Sequence, residues 1–203
     1  MILRSLLLSA FVLLSGIIGG APSALAAAVD PTSFVSDLAS RALAPMPNED
    51  TAVKQERFRQ LFRQYFDVEA CARAALGLYW VKATALQRQE FVGLYEDYVV
   101  IAYSTAFRAL GGESFKVLGS QPDKGRVIVT SRIEINDAAP IRVDWQLNPT
   151  NRGYKVTDVI VNGISMASAQ HSDLVSVIQR NSGHVPALLV AMREKNASNG
   201  ILR

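Results

Sequence analysis

Apolar positions recur at intervals of three and four through the first half of the chain, switch to intervals of two in the second, and return to three and four near the end. Phe34, Val35, Leu38 and Ala42 form the first helical stripe, which opens on Asp30 as an N-cap with Pro31 behind it and stops at Ala44-Pro45-Met46-Pro47. A second helix from about Thr51 carries Val53, Phe58, Leu61, Phe62 and Tyr65, and a third from about Asp67 runs through Ala70, Ala74, Leu76 and Trp80. The longest helix starts at Thr84-Ala85-Leu86-Gln87, where Thr and Gln stand at capping-box spacing. It shows Phe91, Tyr95, Val99, Ala102, Tyr103, Ala106, Phe107 and Leu110 and ends at Gly111-Gly112.

Over 114–161 the two-residue period predicts an antiparallel meander of about four strands, at 114–118, 126–135, 141–148 and 154–161. The turns are Gln121-Pro122-Asp123-Lys124-Gly125, Asn136-Asp137-Ala138-Ala139-Pro140 and Pro149-Thr150-Asn151-Arg152-Gly153. Ile141, Val143, Trp145 and Leu147 share one face, while Arg142, Asp144 and Gln146 share the other, so one face is buried. After Asn162-Gly163, two further helices carry Leu174, Val177 and Ile178, then Val185, Leu188, Leu189 and Met192.

A one-faced sheet needs cover, and the amphipathic helices of the first half and the C-terminus supply it. The expectation is a single α+β domain over 27–196, with an apolar cavity between sheet and aromatic helices and a frayed tail at 197–203. Residues 1–26 hold one charge, Arg4, an apolar stretch from Leu6 to Ile18, then Gly19, Gly20, Pro22 and the small pair Ala24 and Ala26, which is the pattern of a cleaved secretory leader. No Cys follows it for lipid attachment, so a periplasmic monomer is expected. With 21 Lys+Arg against 18 Asp+Glu, the charge excess is too small to imply nucleic acid. Cys71 is the only cysteine, so no internal disulfide can form.

Familiar chemistry is missing. His171 and His184 with Cys71 make no metal-ligand spacing, and no phosphate-binding glycine loop appears, so neither metal nor cofactor is expected. Gly163-Ile164-Ser165-Met166-Ala167 is one glycine short of a nucleophile elbow, with Asp173 and His184 following in order, but the preceding strand belongs to an antiparallel meander. Ser165 reads equally as a helix cap. Asp158, read as sharing a face with Tyr154, Val156 and Ile160, would be a carboxylate in apolar surroundings, suited to proton abstraction in a small isomerase-like enzyme, or else a structural carboxylate. The aromatic residues taken singly read as core, and a fully packed structural protein stays open.

Two blocks carry a resemblance. Ala75-Leu76-Gly77-Leu78-Tyr79-Trp80, Ala83-Thr84, Gln87-Arg88, Phe91 and Tyr95, with Tyr98 and Tyr103 beyond, form the first. Val143-Asp144-Trp145, Tyr154-Lys155-Val156-Thr157-Asp158-Val159 and Val161-Asn162-Gly163-Ile164-Ser165-Met166 form the second. Together they resemble the MlaC family, also called toluene-tolerance auxiliary proteins, over nearly all of the chain after the leader. The resemblance implies a non-enzymatic periplasmic phospholipid carrier that supports outer-membrane lipid asymmetry. Its implied partners are an outer-membrane lipoprotein complex and an inner-membrane ABC transporter with a ring-forming lipid-binding subunit.

On that reading Leu76, Trp80, Phe91, Tyr95, Val99, Tyr103, Val143, Trp145, Leu147, Val161, Ile164 and Met166 are assigned to the lipid-binding cavity. Leu78 is apolar where relatives often carry a polar residue, and relatives also occur with hopanoid-biosynthesis genes. A hopanoid or another apolar molecule is the alternative cargo.

Overall fold

The computed structural model describes residues 29–44, 50–109, 114–135 and 138–199, with side chains of 105–109 excepted. The leader, Pro45-Met46-Pro47, Gly111-Gly112, Asn136-Asp137 and the end of the tail lie outside the described residues. Helices α1 (Pro31–Ala42), α2 (Thr51–Tyr65), α3 (Val68–Leu76), α4 (Leu78–Lys82) and α5 (Ala85–Ala109) precede a sheet of β1 (Ser114–Asp123), β2 (Arg126–Glu134), β3 (Ile141–Thr150), β4 (Gly153–Val161) and β5 (Ile164–Ser165). Helices α6 (Met166–Arg180) and α7 (Val185–Ser198) close the order. The architecture is α+β with an antiparallel sheet in the second half, as the periodicity predicts, and its strands lie in sequence order.

Capping chemistry fixes where the helices start. Asp30, Asp50 and Asp67 each accept from the backbone amide three residues on, and each such cap stabilises its helix by about 1 kcal/mol. The Thr84 box is reciprocal: its amide donates to Gln87 Oε1 at 2.9 Å and its hydroxyl accepts from the Gln87 amide at 3.2 Å. The third predicted helix is in fact two, α3 and α4. Gly77 sits at φ +56°, where the helix breaks, and a Cβ there would lie 2.5 Å from His171 Cε1.

The strands outrun the predicted turns. Only Lys124-Gly125 turns between β1 and β2, both at positive φ, as a two-residue hairpin of this kind requires. Pro122 therefore lies inside β1, which pairs only with β2, and an edge strand tolerates the missing N–H. Asn162-Gly163, again both at positive φ, adds the short fifth strand. At the other end α7 continues through Ala197 and Ser198, which had been assigned to the tail, because Asn196 is buried and donates to the Leu94 carbonyl at 3.1 Å.

Strand β4 carries one residue too many. Gln146 faces Asp158 and Leu147 faces Val156, so Thr157 is a bulge between them. Val156 above it and Val159 and Val161 below it all lie opposite inward residues of β3, although their numbers differ in parity. Asp158 thus does not share the face of Tyr154 and Val156.

Two apolar cores result. One joins α2, α3, α5, α6 and α7 through residues such as Leu76, Phe91, Ile178 and Leu188. The other packs Val35, Leu38 and Tyr65 against Val129, Val143, Trp145, Leu147 and Val156 on the inner sheet face. Across α2 and α5, Arg59 Nη1 lies 2.7 Å from both Glu96 Oε1 and Asp97 Oδ1, and Arg63 reaches Glu96 as well. Burial works to raise the Glu96 carboxyl, but the two guanidiniums outweigh it and hold the group below its ordinary value of 4.5. A depressed carboxylate stabilises the fold fully above its unfolded pKa and loses that contribution as pH falls through the folded one. Glu96→Gln is expected to lower the urea midpoint at neutral pH and to flatten its fall below pH 4.5, as equilibrium unfolding across that range would measure.

Candidate functional site

Where the two cores meet, they leave a pocket of about 330 Å³. Its helical wall is Phe58, Phe62 and Phe66 with Cys71, Tyr95, Val99 and Tyr103; its sheet wall is Phe115, Ile133, Ile141, Val143, Trp145, Val159 and Val161. Ala39 and Leu43 come from the end of α1, and Met166, Ala167 and Gln170 from the start of α6.

The few polar groups in this wall are satisfied from within the protein. Tyr95 donates its hydroxyl to Gln170 Oε1 at 2.6 Å, and Gln170 Nε2 donates to the Tyr103 hydroxyl at 3.1 Å. Trp145 Nε1 donates to Ser131 Oγ at 2.9 Å, and Ser131, itself fully buried, donates to the Val143 carbonyl. Each ring is held at one end by a hydrogen bond while its apolar body stays free for contact.

The reactive side-chain types described in the pocket wall are buried or engaged. Burial, aided by the carboxylates of Asp67 and Asp158, pushes the Cys71 thiol up to about 12, so at neutral pH it is a small apolar group touching the Val156 and Thr157 carbonyls. Burial likewise raises the Tyr95 hydroxyl. Asp158 borders the pocket, yet its oxygens accept from the Val159 and Ala167 amides at 2.8 and 3.0 Å and from the Ser165 hydroxyl at 2.6 Å. Turned by the bulge, it clamps β4 to the N-terminus of α6. Ser165 caps α6 through the Ser168 amide and spends its proton on Asp158, with neither His184 nor Asp173 among its partners, so the elbow-like segment is a cap. His171 Nδ1 lies 3.0 Å from the Ala75 carbonyl, and no group of side chains among the described residues could hold a metal ion.

Seven residues singled out from sequence come together in this wall: Tyr95, Val99, Tyr103, Val143, Trp145, Val161 and Met166. Five do not. Leu76, Trp80 and Phe91 are buried in the helical core behind it, Leu147 packs in the sheet core opposite Val156, and Ile164 is 62% exposed on β5. The α2 phenylalanines and the contribution of β1 and β2 were missed. Phe58 and Phe62 were visible as a helical stripe, and Phe115 pairs with Ile133 in register, but Ser131 interrupts the apolar alternation of β2.

An α+β fold with an apolar pocket at the seam of two cores has the form of a binding site for an apolar small molecule. The family model described as "MlaC protein" matches residues 35–194, and the chain belongs to that family. Its fold is similar to that of a phospholipid-binding protein from Ralstonia solanacearum, solved in complex with a phospholipid, with a TM-score of 0.71 and 21% identity. The match covers 85% of this chain and 99% of that one.

The Tyr95–Gln170–Tyr103 chain ties α5 to α6 in the pocket wall. Tyr95→Phe leaves Gln170 Oε1 buried without that donor and is expected to cost about 1–3 kcal/mol in chemical denaturation.

Proposed function

We propose that this protein is a periplasmic phospholipid carrier that holds acyl chains in the seam pocket and passes lipid between an outer-membrane lipoprotein complex and an inner-membrane ABC transporter. The observation that carries the reading is the pocket itself: an apolar space bounded by rings and aliphatic side chains whose polar atoms are already paired. Membership of the MlaC family and the phospholipid held by the Ralstonia protein of the same fold support the choice of cargo.

Physics supplies the need. A diacyl lipid has on the order of 30 methylenes, and at about 0.8 kcal/mol each its passage through water alone opposes transfer by some 20 kcal/mol or more. A pocket that replaces bilayer contacts removes most of that barrier without any covalent step. About 330 Å³ stands at the low end of the roughly 300–1,000 Å³ range of ligand pockets, so a two-chain lipid enters by parting the two walls of the seam. A carrier by itself only equilibrates lipid, and direction comes from partners of different affinity. Support of outer-membrane asymmetry belongs to the same reading.

Native mass spectrometry of the chain purified from the periplasm without detergent, followed by organic extraction, tests it. One phospholipid per chain is expected, and Val161→Trp or Met166→Trp, which fill the pocket from its partly exposed rim, are expected to lose most of it while keeping the far-UV circular dichroism of the parent. Asp158→Asn is expected to retain lipid. A hopanoid in the extract would replace phospholipid as the cargo; an empty chain that also takes up no lipid from vesicles would overturn the carrier reading.

A further inference from the structure

The three most exposed large hydrophobic side chains among the described residues fall in one short stretch: Leu78 at 82%, Val81 at 77% and Leu86 at 77%. Leu78 and Val81 stand three apart on α4 and share a face, and Leu86 follows in the first turn of α5. The body that presents them is anchored from behind. Trp80 is buried in the helical core, with the guanidiniums of Arg73 and Arg88 at 5.4 and 5.7 Å from its ring centroid. Arg88 also ties down the end of α4, with Nε donating to the Trp80 carbonyl at 2.7 Å and Nη2 to that of Val81 at 3.2 Å. On the other side Gly77, pressed against the His171 ring, fixes the break from α3. The apolar tips therefore sit on a fixed corner, and no other part of the described chain covers them.

Cations surround this corner. Lys82 is exposed, with Nζ 5.0 Å from the Tyr79 ring centroid, and Arg73 and Arg88 flank Trp80. The carboxylates nearest in sequence are engaged, Glu69 with Arg73 and Glu90 with Arg193, whereas Lys82 and Arg88 form no ion pair among the described residues. We propose that the α4–α5 corner docks on the surface of an anionic lipid bilayer. Aliphatic tips at the acyl boundary, an aromatic ring beside them and long cationic side chains reaching the phosphates make the pattern that binds such an interface. A second copy of the chain fits less well, because a twofold contact would set these cations against their own images. The inference goes beyond the carrier reading and stands apart from it, since docking uses only this corner and loading uses only the pocket.

Flotation of the purified chain with vesicles of phosphatidylglycerol, and in parallel with vesicles of phosphatidylcholine, tests the proposal. The chain is expected to float with phosphatidylglycerol far more than with phosphatidylcholine and to come off as salt is added. The triple variant Leu78→Ser, Val81→Ser, Leu86→Ser is expected to bind at least about tenfold more weakly with an unchanged melting temperature, because the three side chains face solvent. If the triple variant melts early, Leu78→Ser and Leu86→Ser singly are expected to show the same loss at smaller size. A parent chain that stays out of the phosphatidylglycerol fraction, or folded variants that float as well as the parent, would overturn the proposal. A parent that carries phospholipid yet does not float removes docking and leaves the carrier; one that floats yet carries and takes up none removes the carrier and leaves docking.

Discussion

One extra residue in an edge region of the sheet sets most of this molecule. At Thr157 the β4 backbone gains a step on β3, and three consequences follow from that single insertion. The inner face keeps its apolar residues on both sides of the step, with Val156 opposite Leu147 and Val159 opposite Trp145. The displaced backbone meets the helices, since the Asp67 amide donates to the Val156 carbonyl at 2.9 Å and Cys71 lies on the carbonyls of Val156 and Thr157. Asp158, turned away from Val156, becomes the acceptor that holds the first turn of α6. Sheet, α3 and α6 are thereby fixed to one another at one point, and the pocket opens beside it.

That point also explains why a pocket exists at all. A close-packed domain of this size would ordinarily fuse its apolar residues into one core. Here the helices build a core of their own around Leu76, Phe91 and Leu188, and the sheet builds another with α1. Large rings stand at the boundary, Phe62 and Tyr95 on one side and Trp145 and Phe115 on the other, and several are immobilised by hydrogen bonds or ring contacts within their own wall. Rings pinned to opposite walls cannot slide into the space between them. The cross-link from Arg59 and Arg63 in α2 to Glu96 and Asp97 in α5 stiffens the helical wall by a means that leaves the apolar surface untouched.

Much of this was legible in the residues. Helix starts followed from Asp30 and the Thr84–Gln87 box because capping is local chemistry. Which face of β3 is inner followed from Val143, Trp145 and Leu147. What failed was whatever depends on register. Extending a constant two-residue alternation through 154–161 put Asp158 on the Val156 face, and only pairing with β3 reveals the step at Thr157. The same local blindness joined α3 to α4, since the break at Gly77 packs against His171, distant in sequence. Within α5, Phe91 and Tyr95 lie one turn apart and look alike in sequence. Phe91 is sealed inside the helical core while Tyr95 reaches the pocket, a distinction made by α7 packing along the first turns of α5.

The chemistry of the pocket wall bears on what such a pocket can select. Tyr95, Tyr103 and Gln170 are linked to one another, Trp145 to Ser131, and Asp158 to α6, so each polar side chain in these networks already has a partner within the protein. A site discriminates strongly against a wrong ligand when that ligand would leave its polar groups unpaired. A wall whose polar groups are already paired lacks that lever and binds in proportion to apolar area and fit. Apolar ligands differing by a methylene or two would then differ only modestly in affinity. Selection among apolar ligands then falls to groups at the rim rather than to this wall.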